Sequence, residues 1–251
     1  SHTAVYHVGD MWYGKNGYDN VKRIFKNTTG FTASFFENVF RVRGDFTYQI
    51  TDDNEKRRRV QVPYSNKPGE ISYVGASTND LRDIWRETQY LATNLYGEFE
   101  KMFNDAHYIK FMAGVNYEQS LYKKLEAERN GLIFEDAIDL SLALGDGINI
   151  DGSYQAWNIF GGFSRLNYAY KDRYLIEING RYDGSSKFPE NERYAFFPSF
   201  SAGWRVSQEP FWKVPYTAIS DLKLRASYGS LGNGSIAPYL YQEIFNISQS
   251  G

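Results

Sequence analysis

Cysteine is absent from the 251 residues, which excludes disulfide bonds, thiol nucleophiles and cysteine-bound metals within the chain. Histidine is scarce, and His2, His7 and His107 lack the spacing with carboxylates that metal ligands usually show. No stretch approaches the roughly 18 consecutive apolar residues of a transmembrane helix. Neither charge sign is in excess, since 28 Lys and Arg accompany 30 Asp and Glu, so nothing indicates nucleic-acid binding.

Aromatic residues are abundant, with 21 Tyr, 18 Phe and 5 Trp. Such a content excludes collagen-like, disordered and coiled-coil classes. The mean hydropathy of -0.55 resembles that of a soluble protein. A transmembrane β-barrel gives a similar value, because its apolar residues occupy every second position. Composition therefore leaves membrane residence open.

Apolar and polar residues alternate along much of the chain, and this pattern predicts β-strands with one apolar and one polar face. In the segment 40–50, Phe40 and Val42 lie on one face and Arg41 and Arg43 on the other. Most of these stretches reach ten residues, whereas globular strands average roughly 5–6. Long strands with a strictly polar second face argue against a sandwich. The further predicted strands are 87–101, 109–118, 160–170, 174–183, 196–207, 222–228 and 239–247.

Short and long connections alternate between these strands, as in outer-membrane barrels with short periplasmic turns and longer external loops. We expect the external loops to be 51–86, 121–155, 184–193 and 231–238, and the opposite turns to be 103–106, 171–172 and 208–219. Segments 78–86 and 121–139 are predicted to carry short helices within loops. Residues 1–35 are predicted mostly as loop, with a strand near 3–8.

The second half of the chain resembles the SusC/RagA family of TonB-dependent outer-membrane transporters of Bacteroidetes. Several motifs in the family's order carry the resemblance, which is weaker over 87–135 and rests on alternation alone before residue 80. They are 165–175 (RLNYAYKDRYL), 181–188 (RYDGSSKF), 197–205 (FPSFSAGWR), 209–211 (EPF), 222–229 (LKLRASYG) and Gly232-Asn233.

The resemblance implies an all-β fold, namely part of an antiparallel transmembrane β-barrel wall of about 22 strands around a plug. All of 1–251 would belong to the barrel domain, with the plug domain outside this sequence. The implied function is TonB-dependent import of a bulky glycan or oligopeptide across the bacterial outer membrane, without chemistry on the substrate. The implied partners are a SusD-like surface lipoprotein, TonB through a segment not in this sequence, and outer-membrane lipid and lipopolysaccharide.

Charged residues on the polar face are the candidates for a lumen-facing or plug-contacting role. They are Arg41, Arg43, Glu177, Arg181, Arg205 and Arg225. Their mixed signs suit a plugged, hydrogen-bonded interior better than a selective pore, in which one sign should dominate. The alternative for each residue is that its side chain is merely hydrated on the barrel wall and has no special role. We expect recognition of the lid protein or ligand to lie in external loops, especially 121–155.

Several family-motif residues are expected to be structural: Asp183, Gly184, Ser185, Ser186, Pro198 and Trp204. The first four predict a turn in which Asp and Ser side chains cap backbone groups. Aromatic residues on the apolar face predict an interfacial girdle and lipid-facing band rather than sugar-stacking platforms. These aromatics are Tyr174, Tyr182, Phe196, Phe200, Trp204 and Tyr228.

The sequence shows only weak signals for a catalytic or metal-binding site. We therefore expect no catalytic residue, no metal site and no cofactor. The oxygen-rich loop 146–152 misses the spacing of an EF-hand, so turn chemistry is expected there and calcium remains an alternative. The run Arg57-Arg58-Arg59 predicts a solvated external loop, with contact to anionic lipid headgroups as the minor alternative. No G-x-S-x-G element or glycosidase carboxylate pair is recognisable.

Two rival classes remain open from the sequence. One is a secreted all-β carbohydrate-binding or glycoside-hydrolase domain, which would be soluble without detergent. The other is a structural porin without plug or lipoprotein partner. The chain starts without Met and stops after a strand-like run, which predicts an internal piece of a longer protein.

Overall fold

The computed structural model describes residues 2–215 and 218–232, with side chains from residue 7 onward. One helix precedes a series of mostly long strands. The elements are α1 His2–Tyr13, β1 Gly17–Phe35, β2 Phe40–Arg59, β3 Val62–Lys67, β4 Glu70–Val74, β5 Asp80–Phe103, β6 His107–Asn130, β7 Ile148–Tyr170, β8 Tyr174–Ser185, β9 Tyr194–Arg205 and β10 Lys223–Gly229.

Eight strands form one sheet in the order β1-β2-β5-β6-β7-β8-β9-β10, and β3 and β4 form a separate hairpin. The strands follow chain order, so each pairs with its sequence neighbour in the sheet. The pairings β7–β8, β8–β9 and β9–β10 are antiparallel. This meander of long strands confirms the predicted all-β, antiparallel class.

Tight turns close two of the hairpins. Asn104 and Asp105 connect β5 to β6, and Lys171 and Asp172 connect β7 to β8. All four residues have positive φ, between 48° and 55°. Hairpin turns of type I′ require positive φ at both central residues, because only then does the turn follow the twist of the strands. Asn and Asp tolerate this conformation well, and both turns were predicted from the sequence.

The described residues divide into two compact units. Unit 1 contains the chain up to Lys26 together with Gln49–Gln89 and Leu121–Gln155. Unit 2 contains Asn27–Tyr48, Tyr90–Ser120 and the chain from Ala156 onward.

Unit 1 has a small apolar core of its own. Val60, Leu81 and Leu132 are 1%, 2% and 7% exposed, and Tyr13 packs against the cluster. Val60 follows β2, Leu81 lies near the start of β5, and Leu132 follows β6, so the core joins the ends of three strands. Burying these side chains fixes the connection after β6 to the sheet.

Residues 1–35 differ from the prediction of a loop with a short strand. Helix α1 covers His2–Tyr13, so the strand predicted at 3–8 is wrong, and β1 covers Gly17–Phe35. Strand β1 lies at one end of the sheet, and its side chains are almost all exposed. Its sequence consequently lacks the clean alternation that marks a half-buried strand.

The predicted loops 51–86 and 121–155 are much shorter in the structure. Strands β2, β5, β6 and β7 extend into them, so the helices predicted at 78–86 and 121–139 are wrong. The remaining connection after β6 is 131–147, with a short 3₁₀ turn at Leu140–Leu142. Charged residues on these strand extensions pair across neighbouring strands, which stabilises strands that have few apolar residues.

The later boundaries also shift slightly. Strand β8 continues through Ser185, so the predicted turn of 183–186 is strand for its first three residues. The predicted strand 239–247 and most of the predicted loop 231–238 lie outside the described residues. Among the described residues, no helix has the length and apolarity needed to cross a membrane.

Candidate functional site

Strands β7 to β10 in unit 2 share one apolar face. Leu166 pairs with Ile178, Ile178 with Phe200, and Phe200 with Tyr228. Directly opposed residues point to the same face of a sheet, so these four side chains form a continuous apolar row. Two further rows on this face are Tyr168, Ile176, Ala202 and Ala226, and Tyr170, Tyr174, Trp204 and Leu224.

The apolar face is the more exposed face of this sheet. Ile178, Phe200 and Tyr228 are 51%, 56% and 69% exposed, whereas Glu177 and Asn179 on the polar face are half-buried. A water-soluble antiparallel sheet shows the reverse order, with apolar residues packed inward and polar ones solvated. This surface therefore suits an apolar medium.

Side chains on the polar face are joined across strands. The Arg165 guanidinium donates to Asn179 Oδ1 at 2.6 Å, and Asn179 Nδ2 donates to Ser199 Oγ at 3.2 Å and to Glu177 Oε1 at 3.0 Å. Arg165, Asn179 and Ser199 lie directly opposite one another on β7, β8 and β9. Glu177, one of the predicted lumen-facing residues, thus belongs to a row of hydrogen bonds.

Arg41 and Arg43 on β2 share a carboxylate, and we name this group the Glu98 cluster, comprising Arg41, Arg43, Glu98, Glu100, Tyr108 and Lys110. Glu98 is only 6% exposed, and its carboxylate lies 3.4 Å from Arg41 Nε and 3.3 Å from Arg43 Nε. Lys110 Nζ lies 3.8 Å from Glu98 and 3.4 Å from Glu100. Arg41 also contacts Glu100, whose second oxygen accepts from the Tyr108 hydroxyl at 2.8 Å. Three cations thus surround two carboxylates.

Arg181 lies beside a cavity of about 470 Å³. Its guanidinium donates to Asn116 Oδ1 at 2.9 Å and to Asp183 at 2.5 Å. The cavity is also lined by Phe188, Arg193, Phe197 and Glu118, and the Tyr90 hydroxyl donates to Glu118 at 3.0 Å. The lining therefore combines aromatic rings with both signs of charge.

Arg205 and Arg225 have separate partners. Arg205 contacts the carboxylate of Asp172 in the turn between β7 and β8, and Arg225 donates to Ser201 Oγ at 3.4 Å. Among the six predicted residues, Arg41 and Arg43 share one carboxylate, and Glu177, Arg181 and Arg225 line a common cavity. Whether any of them faces a lumen or a plug remains a prediction.

The motif residues 183–186 contact strand and loop backbone in different ways. Ser185 Oγ accepts from the Lys187 amide at 3.3 Å, and Ser186 Oγ accepts from the Asn158 amide at 2.9 Å. Asp183 instead pairs with Arg181. Gly184 is buried, and a Cβ atom there would overlap the ring of Tyr194.

Pro198 and Trp204 lie on β9. Pro198 pairs with Gly180, and its carbonyl accepts from the Ser230 amide at 3.0 Å. The Trp204 indole packs against Phe211 with ring centroids 6.2 Å apart and donates to Glu209 at 2.9 Å. Trp204 therefore anchors the connection that follows β9.

A second charged network lies in unit 1, and we name it the Asp80 cluster, comprising Arg57, Arg59, Asp80, Arg82, Lys124, Glu126, Glu128 and Asp151. Asp80 is 4% exposed and lies 2.7 Å from Arg59 and 3.7 Å from Arg57. Glu128 accepts from both arginines, at 3.2 Å from Arg57 and 3.4 Å from Arg59. Four cations thus balance four carboxylates, because Arg82 and Lys124 pair with Glu126, and Lys124 also with Asp151.

The run Arg57-Arg58-Arg59 was predicted to be a solvated loop, and this is wrong. All three residues lie on β2. Arg58 points to the other face and donates to the Lys15 carbonyl at 2.7 Å and the Ala137 carbonyl at 3.4 Å. Alternation places Arg58 on the face opposite Arg57 and Arg59, so Arg58 has different partners from the other two.

The 131–147 segment is held by hydrogen bonds at both ends. Asn79 Oδ1 accepts from the Leu132 amide at 3.0 Å, and Asn79 Nδ2 donates to the Leu132 carbonyl at 3.3 Å. Asn130 Oδ1 accepts from the Gly147 amide at 2.9 Å. These amide side chains imitate strand pairing, so the segment is a structured connection rather than a free loop.

Two side-chain contacts join this segment to the chain around the end of α1. The Tyr13 hydroxyl donates to Glu135, and this hydrogen bond, together with burial, raises the pKa of Tyr13 to about 12. Lys15 Nζ lies 2.5 Å from Asp136, and its hydrogen bond lowers the pKa of Asp136 below its ordinary range. The first contact requires the Tyr13 hydroxyl to keep its proton, and the second requires a charged Asp136 carboxylate.

The oxygen-rich stretch 146–152 does not form a turn along its length. Residues from Ile148 onward are strand β7, and Asp151 pairs with Lys124 at 3.1 Å. Within the described residues, no group of three or more His, Cys, Asp or Glu side chains is arranged to hold a metal.

The acidic partners in both clusters were not predicted, although the sequence contains a signal for them. Arg41 and Arg43 are two residues apart, as are Glu98 and Glu100. The pairs Arg57/Arg59 and Glu126/Glu128 repeat this spacing. Like charges two residues apart share one face of a strand, so each basic pair favours an acidic pair on the same face of the sheet. Glu98 and Glu100 lie on β5, next to β2, and Glu126 and Glu128 lie on β6, one strand further away.

The chain matches the family described as TonB dependent receptor-like, beta-barrel, over residues 3–250. It is 30% identical over 246 residues to TonB-dependent receptor P26 of Formosa agariphila, covering 92% of this chain and 23% of that protein. It is 43% identical over 74 residues to TonB-dependent receptor SusC of Bacteroides thetaiotaomicron, covering 30% and 7% of the two chains. The chain thus spans about a quarter of the P26 receptor.

Solved structures show the same fold. The structure of the RagAB peptide transporter superposes with a TM-score of 0.82 at 18% identity, covering 96% of this chain and 26% of that chain. The RagAB peptide importer in its open-open state gives a TM-score of 0.81 with the same coverage. Sequence and structural matches therefore extend along nearly the whole chain.

Proposed function

The chain belongs to the TonB-dependent receptor-like β-barrel family, and we propose that its protein imports a bulky nutrient across the bacterial outer membrane. Proteins of the SusC/RagA type reside in the outer membrane, so these strands are part of a transmembrane barrel wall. The proposal assigns transport rather than catalysis to the protein, because its relatives are receptors and transporters.

The observation that carries the proposal is the inverted exposure of β7 to β10. Exposed Ile178, Phe200 and Tyr228 suit lipid, and the half-buried polar side chains suit a hydrated interior. Backbone groups in lipid must be paired within the protein, and a closed sheet achieves this. Strands β7 and β8 pair over the twelve residues from Ile159 to Tyr170, which is enough for the roughly 9–11 residues that a tilted strand needs to cross a bilayer.

The polar side chains of the wall contribute an interior in which charges are largely compensated. The Asp80 cluster pairs four cations with four carboxylates, and the Glu98 cluster carries one excess cation. A compensated wall gives little charge selectivity, so the proposal assigns selection to a plug and to external loops. Arg41, Arg43 and Arg181 would then contact the plug or water rather than the cargo.

The 131–147 segment is the part of the chain that we assign to recognition. It is pinned by Asn79, Asn130 and the Tyr13–Glu135 contact, so it is ordered before any partner binds. Ordered loops on a rigid sheet bind partners with a smaller entropic cost than flexible ones. The partner assigned here is a SusD-like lipoprotein that covers the barrel, and TonB would act through a segment of the protein outside this chain.

The substrate class is a glycan or an oligopeptide. The structural neighbours are called peptide transporters, and the curated relatives include SusC. The cavity beside Arg181 offers aromatic rings and both charge signs, a lining that suits either class.

Uptake in cells tests the proposal. The gene for the full-length protein is deleted, and accumulation of labelled oligosaccharides and oligopeptides is measured with and without a protonophore. Import that requires both the gene and the proton gradient supports it. Import that is insensitive to the protonophore would indicate a porin, and hydrolysis of a glycan by the purified protein would indicate the secreted-enzyme alternative.

A further inference from the structure

The apolar face of β7 to β10 ends, beside the tight turns, in a row of aromatic rings. Tyr170, Tyr174 and Trp204 lie opposite one another on β7, β8 and β9. His107 continues the row onto β6, because its ring centroid lies 5.0 Å from that of Tyr170 and its Nδ1 lies 2.8 Å from the Tyr168 hydroxyl. Aromatic side chains collect at the headgroup level of membrane-spanning proteins, so this row marks one surface of the bilayer.

Two residues near the end of β5 extend this part of the lipid-facing surface. Glu98 and Glu100 belong to the Glu98 cluster on the polar face. Alternation along the strand therefore places Lys101 and Phe103 on the other face. The Lys101 ammonium lies 5.3 Å from the centroid of the Phe103 ring, and both side chains are exposed. A cation thus lies on a ring at the margin of the apolar surface.

Lys171 repeats this arrangement in the turn between β7 and β8. Its ammonium lies 5.4 Å from the centroid of the Tyr170 ring. Its backbone amide donates to the Ala106 carbonyl at 2.6 Å, which holds the turn beside the one between β5 and β6. Attraction to the ring keeps the ammonium at the depth of the aromatic row. Lys101, His107 and Lys171 therefore lie at the same end of the lipid-facing surface.

The charges of these two lysines are not compensated within the protein. Neither Lys101 nor Lys171 forms an ion pair among the described residues, and each contacts a ring instead. On the polar face of β6, by contrast, Lys110 and Lys124 each pair with two carboxylates. A ring leaves the ammonium its full charge, so both lysines can still bind an anion.

The acidic residues of the two turns leave positive charge in excess. Asp172 contacts Arg205, and exposed Asp105 pairs with neither lysine within the described part of the chain. His107 adds a hydrogen-bond donor. When the Tyr168 hydroxyl donates to Nδ1, the imidazole proton lies on Nε2, which has no partner among the described residues. Two cations and one donor are thus available at the level of the headgroups.

We propose that this end of the wall binds the phosphate of an anionic glycerophospholipid in the inner leaflet of the outer membrane. Lys101 and Lys171 supply the charge, His107 supplies a donor for phosphate oxygen, and the acyl chains lie along the apolar rows. A zwitterionic headgroup would bring its own cation next to the lysines and is disfavoured. The choice of leaflet rests on the proposed orientation, in which tight turns face the periplasm, and the site does not depend on the cargo.

Photocross-linking at the aromatic row tests the lipid preference. In the full-length protein, Tyr170 is replaced by benzoylphenylalanine, which keeps an aromatic ring, and the protein is folded into vesicles of equal phosphatidylglycerol and phosphatidylcholine. Mass spectrometry counts the two adducts. A lysine near a membrane surface favours an anionic lipid about fivefold, so the two lysines should give about 25-fold more phosphatidylglycerol adduct. Equal amounts of the two adducts, or adducts with protein alone, would overturn the proposal.

Matched variants test the two lysines. Lys101→Gln and Lys171→Gln should each lower the adduct ratio about fivefold. Lys187→Gln is the control, because Lys187 also lies on a ring, 4.5 Å from the centroid of Trp157, but follows the other end of β8. Its ratio should equal that of the parent protein. Heat-modifiable gel mobility checks folding, and a ratio that is unchanged by both lysine variants, or lowered equally by Lys187→Gln, refutes the site.

The same cross-linker in intact outer membranes tests the leaflet. We expect position 170 to form an adduct with a glycerophospholipid. An adduct with lipopolysaccharide would place this end in the outer leaflet and overturn the proposal, whereas nutrient import, which the uptake assay measures separately, would stand. If uptake proves independent of the gene while phosphatidylglycerol is still selected at position 170, the import proposal fails and the lipid site stands.

Discussion

The indole Nε1 of Trp204 donates a hydrogen bond to Glu209 Oε1 at 2.9 Å and links the end of β9 to the connection that follows it. Glu209 is 8% exposed, and its second oxygen lies 3.4 Å from Arg173, the residue just before β8. One carboxylate thus joins three segments of the wall. The motif 209–211 resembled the family in sequence, and this contact supplies a structural reason for its glutamate.

Replacing this carboxylate should weaken the wall. Glu209→Ala leaves the Trp204 indole and Arg173 without an acceptor, and we expect it to lower the free energy of unfolding by about 1–3 kcal/mol. Glu209→Gln keeps an oxygen for Trp204 and should cost less. Urea unfolding of the full-length protein in lipid vesicles measures both, with exposed Glu192→Ala as a control expected to stay within about 0.5 kcal/mol. Equal stability of all variants would contradict this role.

The two faces of β8 should respond differently to the same charge. Ile178→Arg places a guanidinium on the lipid-facing row beside Phe200, and we expect a loss of about 2–4 kcal/mol in folding free energy. Asn179→Arg, one residue further along on the polar face, should cost less, because its guanidinium stays among polar groups although the hydrogen bonds to Arg165 and Ser199 are lost. Folding into vesicles measures the difference, and equal damage from both substitutions would indicate a sandwich core.

Labelling of single cysteines should reveal the topology. The chain contains no native Cys, so Asp146→Cys and Asp105→Cys provide unique sites in this part of the protein, and both positions are exposed. We expect an impermeant maleimide to label position 146 in intact cells and position 105 only after lysis, because tight turns face the periplasm. The opposite labelling pattern would reverse the proposed orientation.

The 131–147 segment should loosen in acid. The Lys15 contact depresses the pKa of Asp136, so its stabilisation is complete above the ordinary aspartate pKa of about 3.9 and is lost as pH falls through the lower, folded value. Pepsin cleavage within the segment, measured between pH 5 and pH 2, should therefore accelerate toward low pH. The Tyr13–Glu135 contact is sensitive to base instead, because it is lost only as pH rises toward the raised Tyr13 pKa of about 12.

The matched variants separate the Asp136 contact from general acid effects. Pepsin should cleave Asp136→Asn faster than wild type at pH 5, and the two cleavage rates should converge at pH 2. Asp146→Asn, in the same segment but without a contact to Lys15, should behave as wild type. The effect is expected to be modest because Asp136 is exposed, and an unchanged profile in Asp136→Asn would refute the role of this ion pair.

The sequence predicted the strands of the barrel wall correctly in those segments that have an apolar face toward lipid. Along β8 and β9, every second side chain is apolar, so the strands, their faces and the turn at Lys171-Asp172 follow from a period of two. The same signal is absent where both faces are polar. In β2 beyond Ile50 and in β6 beyond Tyr122, charges replace apolar residues, and the sequence predicted loops instead of strands.

The sequence by itself determined the class of the fold, the two faces of the wall and the absence of thiol chemistry, because these depend on composition and on neighbours along the chain. Only the tertiary structure decided which charges meet. Arg41 pairs with Glu98, which is 57 residues further along the chain, and Arg59 pairs with Asp80, which is 21 residues further along. Both contacts depend on strand register. It also decided that β7 extends beyond β8, because the length of an unpaired edge is a property of two strands together.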